Sequence, residues 1–132
     1  MPKSNYERNR VINARYGDGT YTKAATVYVA LFTSAPSVSG GGTEVSGVNY
    51  ARVAVTNDAT NFPDPVAGVV SNAAPIAFPA AGGAWGVVTH GATFDALSGG
   101  NMLDFAAFAD PQNIQNGGQF TIGVGQFVLT ET

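Results

Sequence analysis

Seventeen glycines and seven prolines in 132 residues cut this chain into pieces too short for a bundle of long helices. Between the breaks, residues 26–33, 48–56, 69–71, 75–78, 86–94, 102–108 and 120–130 favour strand, being rich in Val, Ile, Thr and Phe. Run 26–33 is apolar on both faces, as a central strand must be. Residues 34–47, with Gly40-Gly41-Gly42, and 57–68, with Pro63-Asp64-Pro65, read as loops. Asp110-Pro111 and Asn116-Gly117-Gly118 bracket a short link. In the last run Phe120, Ile122 and Val124 share a face, and Gly125 marks a bulge. Seven or eight short strands at this spacing predict a mainly β chain, a single antiparallel β-sandwich or jelly-roll-like domain over residues 24–132.

Residues 1–23 differ from the rest. Ser4 and Glu7 form a capping box that starts one short N-terminal helix over residues 5–16, and Gly17 suits its left-handed end. Arg8, Val11, Ile12 and Arg15 share one helical face, an apolar centre with a charged rim. That anatomy fits partner binding. The alternative is a helix whose Val11 and Ile12 plug one end of its own sandwich.

Charge divides the same way. The first 23 residues hold five basic groups against two carboxylates, a local +3. The remainder carries Arg52 against seven carboxylates, a local −6. Such a body argues against non-specific nucleic-acid binding, which depends on neutralising phosphates. No apolar run approaches the roughly 18 residues of a membrane span, so no membrane partner is expected.

Chemistry is sparse. With no cysteine, a thiolate metal site and a cysteine nucleophile are excluded. His90, the single histidine, sits two residues from Val88 and from Ala92 and so shares their face in a regular strand. No G-x-S-x-G elbow accompanies it. Asp95 and Asp110 read as turn starters, and Asp58 and Asp64 lie in a polar loop without a calcium-loop pattern. Gly40-Gly41-Gly42 lacks the Lys-Ser or Lys-Thr that follows a phosphate cradle. Trp85 and Tyr50 read as core. The expectation is a non-enzymatic chain with no catalytic, metal or cofactor-binding residues.

The blocks VYVALFTSAP (27–36), GGTEVSGVNYARVAVT (41–56), NAAPIAF (72–78), AWGVVTH (84–90) and FDALSGGNML (94–103) carry a further signal. In this order, with residues 117–130, they resemble the small virion proteins of tailed bacteriophages, described as tail-fibre or minor structural proteins. The resemblance spans residues 6–130. It implies no catalytic motif and a place on the capsid or tail exterior, the chain being made in the host cytoplasm.

A fibre shaft needs a coiled coil or a repeated rung, and neither occurs here. The expected role is therefore a multi-copy capsid decoration or cement protein. The alternatives are a tail-fibre-associated, collar or adaptor protein, or a host-glycan-binding module. Expected partners are other virion proteins, the major capsid protein or tail components, together with further copies in a homo-oligomer.

Overall fold

The computed structural model describes residues 1–131, so the last residue of the expected 24–132 domain lies outside the described residues. The helix α1 (Asn5–Arg15) is followed by nine strands: β1 (Thr26–Ser34), β2 (Thr43–Glu44), β3 (Val53–Thr56), β4 (Val69–Ser71), β5 (Ile76–Ala77), β6 (Gly86–Phe94), β7 (Met102–Ile114), β8 (Thr121–Ile122) and β9 (Val128–Thr130). The main sheet runs β2-β1-β6-β7, with β3 also paired to β1, and every pairing is antiparallel. Two ribbons, β4–β9 and β5–β8, complete a β-sandwich.

The alternation of β1 assigns the two sides. Val29 and Leu31 face the larger core with Val88, Phe78, Trp85, Phe120 and Ile122. Ala30 and Phe32 face a smaller one with Ala92 and Met102. Leu31, Val29, Phe78 and Val88 are fully buried, each worth about 1.5–3 kcal/mol relative to exposure. Trp85 is core, as its sequence context predicts: its indole N–H donates to the Val48 carbonyl at 2.9 Å, edge-on to Tyr50 at 5.5 Å.

Several strands depart from expectation, each for a local reason. Run 48–56 pairs only from Val53, because Tyr50 N–H closes a turn onto the Gly47 carbonyl and Asn49 adopts φ 68°. Loop 34–47 contributes the short β2. The run at 102 continues as strand through Asp110-Pro111 to Ile114. Proline is tolerated there because this half of β7 lies at the sheet edge, and the register skips between Val88 and His90. Residues 120–130 are split into β8 and β9 by a turn in which Gln126 N–H bonds the Gly123 carbonyl. Gly125, at φ 78°, belongs to that turn and not to a bulge, and Val124 is exposed.

The same skip corrects the placement of His90. Val88 faces the larger core, whereas Ala92 faces the smaller one. Two steps along β6, from Val88 to His90, face five along β7, from Gln112 to Ala107, and the alternation breaks there, so His90, opposite Phe32, sides with Ala92 and not with Val88.

Candidate docking site

The N-terminal segment is tied to the body at its root. Phe105 N–H donates to the Pro2 carbonyl at 3.0 Å and Ser4 N–H to the Leu103 carbonyl at 2.8 Å, so residues 2–4 extend the sheet beyond β7. Asn5 N–H reaches the Val38 carbonyl at 2.7 Å. The Ser4 hydroxyl accepts Glu7 N–H at 3.2 Å, the expected cap, and donates to the Met102 carbonyl. The reciprocal half of the capping box is absent, because Ser4 N–H is committed to Leu103.

Glu7 turns inward. It is the buried residue of α1, and its carboxylate accepts from Arg10 at 3.1 Å and from the Tyr21 hydroxyl. Burial, then the Glu7 carboxylate, pushes the Tyr21 phenol well above its ordinary value, so it stays a donor. The Arg10 guanidinium also lies 4.4 Å from the Tyr21 ring centre. Asp104 stands near this cluster, and its carboxyl is pushed up to about 6 by burial and by Glu7.

With Glu7 and Arg10 spent on the body, the rest of the helix projects outward. Val11 is half-buried, while Arg8, Ile12 (61% exposed) and Arg15 face solvent. All four line one groove of about 500 Å³, whose opposite wall is Met1, Pro2, Lys3, Thr130 and Glu131. Val11 and Ile12 are therefore not a plug in the sandwich. Arg15 rests near the Tyr16 ring, and Lys3 pairs with Glu131 at 2.6 Å.

A second constellation went unread in the sequence. Glu44 accepts both Arg52 Nε (2.9 Å) and Arg52 Nη2 (2.8 Å), and also the Tyr50 hydroxyl at 2.7 Å. Arg52 Nη1 donates to the carbonyls of Ala96 and Gly99, and its guanidinium lies 3.7 Å from the Phe94 ring centre. Burial alone would raise the Glu44 carboxyl; the Arg52 and Tyr50 hydrogen bonds outweigh it and hold it low. The signal was available: Arg52 is the single Lys or Arg after Lys23, and it stands beside Glu44 in one block. Every side-chain nitrogen and oxygen of the cluster is hydrogen-bonded, so it clamps loop to sheet.

Asp95, Asp58 and His90 are also engaged in local hydrogen bonds. Asp95 accepts the Asn101 N–H at 2.7 Å and its side-chain amide at 3.0 Å. Burial opposes ionisation there, but those two bonds hold its carboxyl below the ordinary range. Asp58 accepts Thr60 N–H and Asn61 N–H at 3.1 Å each, the turn-starting role that aspartate favours. His90 Nδ1 shares a hydrogen bond with Thr89 Oγ1 at 2.8 Å.

A family model described as podophage GP4 fiber I protein gp80 matches residues 2–130, covering α1 and all nine described strands. The chain belongs to the podophage GP4 fiber I protein family. It is thus a structural protein of the tailed-phage virion. No curated protein matches the chain. Among the described residues of this fiber I family member, no helix is long and apolar enough to cross a membrane.

Proposed function

We propose that this chain is a non-enzymatic module of the phage fibre apparatus that docks other virion proteins through the face bearing Arg8, Val11, Ile12 and Arg15. One observation carries the reading: α1 is anchored at its first turn and leaves that face unpacked along an open groove. An apolar centre rimmed by guanidinium groups suits a carboxylate-bearing protein surface. Residues 1–23 act as the docking piece and the strands as the rigid body.

The description of the family as a fiber protein favours the fibre-associated alternative over the capsid decoration and cement role expected from the missing shaft. With no repeated rung, the chain serves as a tip, collar or adaptor. Antibody labelling of intact particles tests this: label at the tail supports the fibre reading. Label distributed over the head surface returns the chain to decoration.

A further inference from the structure

The wall that faces α1 across the groove is built from two open backbone edges. Residues 2–4 join β7 through the Pro2 carbonyl and the Ser4 N–H, so the bridged pair is Lys3 with Asp104. In that antiparallel pattern the residue between the two bonded ones turns its own N–H and carbonyl away from its partner strand. Lys3 therefore presents both groups at the last edge of the main sheet. β9 repeats the arrangement. Leu129 pairs with Val70, and Glu131 N–H bonds the Gly68 carbonyl, so Thr130 between them turns its N–H and carbonyl away from β4. Among the described residues no further strand pairs with either edge, and Lys3 and Thr130 line the same groove.

Uncovered edges are templates for another strand. The α1 wall decides what that strand carries. Among the described residues the ion pairs are Lys3–Glu131, Arg10–Glu7 and Arg52–Glu44, which leave the exposed Arg8 and Arg15 without one. Val11 and Ile12 lie between them. Seven helical residues separate the two arginines, a rise of about 10 Å. In an extended chain, residues four apart lie on one side at about 13 Å, with one side chain between them. Two carboxylates at that spacing, flanking an apolar residue, match the helix face within the reach of an arginine side chain.

We propose that the groove takes an extended acidic segment of another virion protein, whose backbone bonds Lys3 and Thr130 and whose carboxylates meet Arg8 and Arg15. The inference rests on the docking reading above and names the conformation and charge of what docks.

Titration of the full chain with a capped seven-residue peptide tests it, a run of threonines with glutamate second and sixth and valine fourth. Binding should shift the Lys3 and Thr130 amide resonances and slow their hydrogen exchange. Glutamine in place of both glutamates, or Arg8→Gln with Arg15→Gln, should weaken binding about tenfold or more. Lys3→Pro and Thr130→Pro each delete an N–H aimed away from the existing ladder and keep the bonds to β7 and β4. Each should weaken binding about fivefold, the loss of one hydrogen bond, whereas Thr130→Ala should bind as the wild type does. Circular dichroism checks that each variant is folded. Should a proline variant unfold, peptides N-methylated at alternate residues, in both phases, remove the same kind of bond from the other side, and one phase should abolish binding. No binding, binding indifferent to the glutamates, or binding without protection at Lys3 and Thr130 overturns the proposal. So does a wild type that dimerises without peptide and protects those amides in the dimer, since a second copy is then the occupant. Incorporation into particles separates the docking reading. Arg8 and Arg15 variants excluded from particles, with a peptide that does not bind, sink the strand inference alone. A peptide that binds as described, with those variants incorporated normally, sinks the docking reading alone.

Discussion

The hydroxyl of Tyr50 accepts the backbone N–H of Leu31 at 3.0 Å, filling a gap in the ladder beside β1. β3 pairs with β1 up to Val29 and β2 pairs from Phe32, so Leu31 falls between two short partners. Its carbonyl is taken by Val45 N–H at 2.9 Å, and its N–H has the phenol. A side chain thus stands in for a missing strand residue. Burial, then the bond to Glu44, pushes that phenol far above its ordinary value, so it donates to Glu44 while accepting from Leu31.

Tyr50→Phe should accordingly destabilise the fold by about 1–3 kcal/mol, because a buried N–H is left without an acceptor. Chemical denaturation checks this. The Leu31 amide should also lose hydrogen-exchange protection ahead of its neighbours. A variant as stable as the wild type would show that the gap is filled by something else.

Arg52→Lys keeps the charge but loses the two-pronged contact with Glu44 and at least one of the carbonyls of Ala96 and Gly99. A loss of about 1–3 kcal/mol is expected, with the 95–101 turn loosening first. Backbone resonances of that turn should broaden or shift while those of β6 stay in place.

Gly47→Ala places a methyl group 2.4 Å from Trp85 Cδ1, inside any permitted contact, and the indole is held by its bond to Val48. Overpacking of about 1–3 kcal/mol should result. Near-ultraviolet circular dichroism should change with it, since Trp85 is the one tryptophan.

Acidification should first stabilise the protein and then destabilise it. The Asp104 carboxyl is pushed up to about 6 by burial and by Glu7, against about 3.9 in an unfolded chain. The native state therefore takes up this proton first, and the group adds stability as pH falls from about 7 to about 4. Glu44 and Asp95 act in the opposite sense: their carboxyls are held low, and the stability they bring is lost as pH falls through their depressed values. The melting temperature should rise from pH 7 to about pH 5 and drop below about pH 4. In Asp104→Asn the rise should vanish. A wild-type melting temperature that falls steadily from pH 7 would contradict this assignment.

The docking reading predicts a variant that is stable but does not assemble. Arg8→Glu with Arg15→Glu changes exposed groups without an ion pair and should shift stability by no more than about 0.5 kcal/mol. Incorporation into particles should fall, and any residual binding should weaken further with added salt. Normal incorporation with an unchanged melting temperature would remove α1 from the interface.

Much of this protein was determined by the sequence alone, wherever a rule acts between near neighbours. Ser4 and Glu7 set the start of α1, the two apolar faces of residues 26–33 set the central strand, and Gly86–Phe94 was legible end to end. Arg8, Val11, Ile12 and Arg15 fell on one side of the helix because 100° per residue puts them there. Whether that side is buried is a tertiary matter. Glu7 found Tyr21 and Arg10 and docked the helix by another face, leaving the quartet along an open groove. The broken alternation at His90, the continuation of β7 through Pro111 and the split of residues 120–130 depend on partner strands that no window of neighbours contains. The Glu44, Tyr50 and Arg52 cluster belongs with them. Its residues are close in sequence, but their partners at Leu31, Ala96 and Gly99 reach one place only when β1 and the 95–101 turn are folded together.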